Sequence, residues 1–113
     1  MYPLKLHKNL TPEKWAGYSK GQQILMIANE LNRAKNWIEK NKQNEINQCY
    51  ERAFELIDLT VEDYKWVGKV RELLRCREVI AEMFVQKQKD GRLNNLAYEC
   101  LIALSSESYN MLH

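Results

Sequence analysis

Acid–base, nucleophilic and metal chemistry all need a small set of side chains held still, and this chain places few of them where a helix would hold them. Its two histidines, His7 and His113, stand in the two tails, whereas a catalytic base or metal ligand must be fixed to within ~0.5 Å of its working geometry. That argues against Ser-His and Cys-His catalysis, Arg-His ribonuclease pairs and the Glu-x-x-His sites of di-metal bundles. Gly17 and Gly21 flank Tyr18-Ser19-Lys20, but nothing upstream reads as a strand, so a phosphate loop is not indicated. Glu51 and Glu55, and Glu78 and Glu82, are carboxylate pairs at i, i+4. With Arg52, Arg75 and Lys87 within a turn or two, they read as mixed-charge helix surface. Cys49, Cys76 and Cys100 are an odd number without a close pair, which suits core thiols in a reducing compartment better than disulfides or zinc. No catalytic, cofactor or metal residue is assigned, and the chain is expected not to be an enzyme.

Binding chemistry is better represented. Arg77 falls in line with an apolar stripe, between Leu73 or Leu74 and Ile80 or Ala81. A guanidinium there must be paired with a carboxylate, reach solvent along its stem, or meet a partner's carboxylate in a groove. Lys65, Lys69, Arg71 and Arg75 form a basic ridge beside Trp66, diluted by Glu62, Asp63, Glu72 and Glu78. Arg and Trp together are favoured at protein interfaces and also meet nucleic acid. Trp37 stands at the edge of another stripe. The candidate partner-binding residues are therefore Trp37, Trp66, Arg71, Arg75 and Arg77.

Helices must position them. Apolar residues recur at three-and-four spacing through Ile24, Ile27, Leu31, Ala34 and Ile38, which predicts a first long helix, with Ser19-Lys20-Gly21-Gln22 as its capping box. A polar turn at 40–44 precedes a shorter second stripe through Ile46, Tyr50, Ala53 and Ile57. Asp58-Leu59-Thr60 reads as the next turn, with Thr60 as N-cap of a third helix running unbroken over 61–90, about 42 Å long. Gly91 is expected to end it in a left-handed conformation. A fourth stripe runs through Leu93, Leu96, Ala97, Leu101 and Leu104. Thr11-Pro12 starts a short helical turn inside an arm of residues 1–18, where Leu4, Leu6 and Leu10 can pin it to a groove.

The fold class that follows is all-α: an antiparallel up-down-up-down four-helix bundle over residues 19–113 with an N-terminal arm over 1–18. With 113 residues, 45% hydrophobic and 28% charged, the chain fits one helical domain with a core of its own. A net charge of +2 is too small to select a polyanion. The first residues lack a signal-peptide core and no apolar run reaches the ~20 residues of a membrane span. The expected location is the cytoplasm, with no membrane partner.

The order of these features resembles the flagellar export chaperones of the FliS family, which bind flagellin. Ser19-Lys20-Gly21-Gln22-Gln23-Ile24-Leu25-Met26-Ile27 is similar to that family's first helix start, with Lys20 where those proteins commonly carry Pro, and the turns at 41–44 and Asp90-Gly91-Arg92 fall in similar places. Over about Ser19 to Leu104 the resemblance implies a helical module whose grooves hold a segment of another protein. The functional expectation is thus a non-enzymatic protein-binding bundle, chaperone-like or self-associating. The alternative is a nucleic-acid accessory protein using the basic ridge of the third helix, which ranks below it.

Overall fold

The computed structural model describes residues 10–105. The arm residues 1–9 and the tail aromatics and histidine beyond 105 lie outside the described residues. Within that span the chain is all helical, with four long helices packed around one core. The elements are α1 (Pro12–Ala16), α2 (Lys20–Glu39), α3 (Gln43–Glu62), a 3-10 turn (Tyr64–Trp66), α4 (Val70–Val85) and α5 (Gly91–Ile102).

Local signals explain most boundaries. Thr11 Oγ1 accepts from the Lys14 N–H with Pro12 at the first helical position, as expected for α1. Ser19 and Gln22 complete the capping box at the head of α2 in both directions, at 3.2 and 2.9 Å. α2 closes on Asn41, whose φ of 57° is the one left-handed non-glycine conformation among the described residues. The Lys42 N–H reaches the Trp37 carbonyl and the Asn41 N–H that of Ile38, the paired pattern that satisfies the last carbonyls of a helix. Asn tolerates that conformation better than any branched residue would.

The long third helix expected over 61–90 is not present as one element. α3 continues through Thr60 to Glu62, so the second helix is as long as the first and Asp58-Leu59-Thr60 is not a turn. Thr60 is buried inside α3 rather than capping a helix. Its hydroxyl donates to the Leu56 carbonyl at 2.7 Å and accepts from Trp15 Nε1 at 3.1 Å. The chain breaks at Asp63, whose backbone turns extended and whose carboxylate accepts from the Lys65 N–H. An Asp that bonds the backbone two residues on offers it an alternative to the helix. Gly68 in the following turn weakens helix continuation further.

α4 also ends earlier than expected, at Val85, and Gly91 does not cap it. Lys89 does so from a distance: its ammonium donates to the carbonyls of Met83, Phe84 and Gln86 at 2.7 to 2.9 Å. A cation suits a helix C-terminus on dipole grounds as well. Gly91 is instead the first residue of α5, with Asp90 as its N-cap accepting from the Arg92 N–H at 2.8 Å.

Packing joins α2 to α3 and α5, and α4 to α3 and α5. Near one end, Gln23 of α2 meets Asp63 just past α3, and midway Glu30 of α2 meets Arg52 of α3. Arg77 of α4 meets Asp58 of α3, and Met83 meets Tyr50. Asn94 of α5 is a buried crosslink: its amide donates to the Leu31 carbonyl of α2 and its oxygen accepts from the Tyr50 hydroxyl of α3, both at 2.9 Å. Three helices thus share one buried polar side chain whose nitrogen and oxygen both have partners.

Candidate surface between α4 and α5

The five residues expected to bind a partner fall into four environments. Trp66 is fully buried, and its indole N–H donates to Gln23 Oε1 at 2.7 Å. It offers no surface to a partner and belongs to the core, because the chain break at Asp63 turns it inward. Trp37 is half-buried in the last turn of α2, with the Lys40 ammonium 5.3 Å over its ring. It lies fourteen residues along α2 from Gln23, about 21 Å at 1.5 Å per residue. The two tryptophans therefore occupy opposite ends of the fold and do not form one anchor.

Arg77 is committed within the chain. Its guanidinium donates to both carboxylate oxygens of Asp58, at 2.8 and 3.3 Å, and stacks 4.8 Å from the Phe54 ring. It sits half-exposed beside the stripe rather than within it, and its carboxylate is an Asp of the neighbouring helix. Lys65 is likewise turned inward, onto Asp63 at 2.7 Å and the Ala16 carbonyl at 3.0 Å. The basic ridge therefore does not run along one helix; Lys69, Arg71 and Arg75 are what remain exposed of it.

Arg71 and Arg75 do come together. They stand one turn apart on α4 and, with Val70, Leu74 and Glu78, line a shallow depression of about 480 Å³. Neither has an ion-pair partner among the described residues. Leu74 at the centre keeps 43% of its surface exposed, and Val67 and Tyr64 just before α4 keep 71% and 87%.

Arg75 also borders a second hollow, which the sequence did not announce. It lies between α4 and α5, encloses about 280 Å³ and is walled almost entirely by carbon and sulfur: Cys76 and Val79 on α4, Ala97 and Cys100 on α5, then Ala103 and Leu104. Glu72 and Arg75 stand at its edge. The signal that could have found it is the run of small residues Ala97, Cys100 and Ala103 facing Cys76 and Val79, too little volume to fill the space between two helices at native density. Cys76 is buried and its thiol is pushed up to about 11 by that burial, with the Cys100 thiol nearby adding to the effect. Cys100 itself is exposed, so the hollow has one accessible thiol on its wall.

Elsewhere the buried titratable groups are engaged in structure. Glu30 is buried and held by Arg52 at 3.0 Å and Arg33 at 3.4 Å. Burial pulls the Arg52 guanidinium down, but the bond and charge of Glu30 outweigh it and the net direction is up. Cys49, beside Arg52, is pushed up chiefly by burial. Among the described residues no three His, Cys, Asp or Glu side chains gather as a metal site requires, and no helix is long and apolar enough to cross a membrane.

Among the described residues, α4 from Val70 to Val79 with the facing edge of α5 thus combines apolar depth, exposed aliphatic groups and cations without ion-pair partners. Compared with protein-family models, with curated proteins and with solved structures, the chain matches none of them.

Proposed function

We propose that this chain is an antiparallel four-helix bundle of the cytoplasm that acts as a non-enzymatic protein-binding module, holding a segment of another protein along α4. The α2–α3 and α3–α4 residue pairings support the antiparallel arrangement, and free thiols at Cys49, Cys76 and Cys100 fit a reducing compartment. The observation that carries the binding role is the apolar hollow between α4 and α5, edged by Glu72 and Arg75, with Arg75 shared with the neighbouring depression that Arg71 lines; neither arginine has an ion-pair partner among the described residues. A helix-lined apolar groove edged by charge is how an amphipathic segment is held: its apolar face supplies affinity and the rim sets orientation. In that form the module is chaperone-like. Trp37 and Arg77 contribute to the fold's edges, and Arg71, Arg75 and Leu74 to the partner.

The test is capture from nuclease-treated lysate of the source organism, with a high-salt wash, on the full chain and on two variants. Ala103→Trp fills the mouth of the hollow, and Arg75→Glu reverses its rim. A protein retained by the natural chain and lost from both variants, with helicity unchanged, supports the proposal. Equal retention on all three removes the surface from consideration. Capture that vanishes on nuclease treatment favours the nucleic-acid reading, for which exposed Lys69, Arg71 and Arg75 are the remaining support.

A further inference from the structure

We infer that the surface along α4 takes an acidic amphipathic segment, which inserts one large apolar side chain into the hollow beside Cys100 and sets carboxylates on Arg71 and Arg75. This rests on the protein-binding proposal and names the chemistry of the partner.

Size decides the first half. A volume of about 280 Å³ falls at or below the lower end of the ~300–1,000 Å³ typical of pockets for whole small molecules. It suits one Trp, Phe or Leu side chain, the kind of anchor that dominates an interface when seated in an apolar pocket. The walls give a small polar ligand almost nothing to bond.

Charge decides the second half. Arg71 and Arg75 are like charges four residues apart, an arrangement that destabilises a helix unless an anion lies between. Arg71 also sits in the first turn of α4, where the helix dipole disfavours a cation. That same N-terminus has no side-chain cap: Lys69 occupies the N-cap position and makes no capping bond. The two arginines therefore call for carboxylate: Glu72 stands in the first turn of α4 and at the edge of the hollow, yet neither it nor Glu78 makes an ion pair with Arg71 or Arg75. A partner's Asp or Glu would pair with Arg71 and Arg75 while its neighbouring apolar residue fills the hollow.

The experiment pans a displayed library of random short peptides against the full chain and carries the enriched sequence forward as a synthetic peptide. The expected sequence pairs Asp or Glu with a large apolar residue one helical turn away. Its binding, followed by fluorescence anisotropy, should weaken about thirtyfold or more in the Arg71→Ser/Arg75→Ser variant and again in Ala103→Trp, each a loss of the size a hot-spot contact carries. Bound peptide should also slow alkylation of Cys100 by iodoacetamide. Failure to enrich any peptide, or unchanged alkylation at saturating peptide, overturns the inference. So does a Cys100 thiol already inert in the free chain, since the hollow would then be filled. Enriched peptides that protect Cys100 but lack acidic residues overturn the acidic partner and leave the protein-binding proposal standing. Acidic peptides that bind as expected, beside a lysate capture indifferent to both Ala103→Trp and Arg75→Glu, leave this site chemistry standing and remove the cellular role.

Discussion

Replacing Gln23 should show whether the break at Asp63 is set by one buried amide. Gln23 is fully buried in the first turn of α2 and uses both ends of its side chain. Its amide nitrogen donates to the Trp15 carbonyl at 2.8 Å and Asp63 Oδ2 at 2.9 Å, and its oxygen accepts from Trp66 Nε1 at 2.7 Å. One side chain therefore ties α1, α2 and the 3-10 turn together. In Gln23→Leu the Trp15 carbonyl keeps the Tyr18 N–H and Asp63 keeps Lys65. Only the Trp66 indole, fully buried, is left without an acceptor. An orphaned buried donor costs about 1–3 kcal/mol, and a lost bond to the Asp63 carboxylate adds about 1 kcal/mol or more. The expected loss is about 2–4 kcal/mol, a large share of the ~5–15 kcal/mol that holds a domain folded. Urea unfolding followed by far-UV circular dichroism measures it. A loss under about 0.5 kcal/mol would refute the claim that this amide holds the break in place. Gln23→Glu sharpens the test, because a carboxylate there accepts from Trp66 but faces Asp63. It should be less stable than the natural chain at neutral pH and should recover relative to it as acid protonates the pair.

Three further outcomes follow from the same packing. Asn94→Ala removes the crosslink among α2, α3 and α5 and leaves the Tyr50 hydroxyl only Met83 Sδ at 3.8 Å; unfolding should show a loss of about 1–3 kcal/mol. Arg77→Ala should cost under about 1 kcal/mol by the same measurement, because its pair with Asp58 is part-exposed on both sides; a loss of several kcal/mol would mean that the guanidinium is buried. Acid should cut stability through Asp63. Burial alone would raise its pKa, but bonds from Lys65 and Gln23 outweigh that and lower it. A carboxyl depressed in the folded state contributes stability above the ordinary aspartate range and loses it as pH falls through the depressed value. The urea midpoint of Asp63→Asn should therefore fall less steeply with acid than that of the natural chain.

Much of the helical content was legible because its signals are local. The Ser19 capping box, the Thr11-Pro12 start and the stripe from Ile24 to Ile38 need only residues within a few turns of one another. The 61–90 helix misled because apolar spacing continues across the break: Trp66, Val70 and Leu73 keep the period whether or not the backbone between them is helical. Asp63 and Gly68 are residue types that can break a helix, but the partners that make the break stable are Gln23, forty residues away, and the Ala16 carbonyl, which Lys65 reaches. Gly91 misled in another way. A glycine after a long stripe reads as a helix end, whereas Lys89 had already closed α4 and Asp90 was opening α5.

The site was legible only in its cations, for a reason set by helix geometry. Positions on a helix turn by about 100° each, so Arg71 and Arg75 lie about 40° apart while Arg77 stands about 200° from Arg75. Three arginines within seven residues cannot all serve one surface. Which of them face a neighbour depends on where α3 packs, and α3 meets α4 through Asp58 and Phe54, taking Arg77. Arg71 and Arg75 are left outward by that choice, and Arg75 stands at the edge of the hollow where α5 presents Ala97 and Cys100 and leaves room. The same packing that commits one arginine to the fold thus leaves the other two outward, one of them beside a hollow, and it does so without any residue in the sequence being marked for binding.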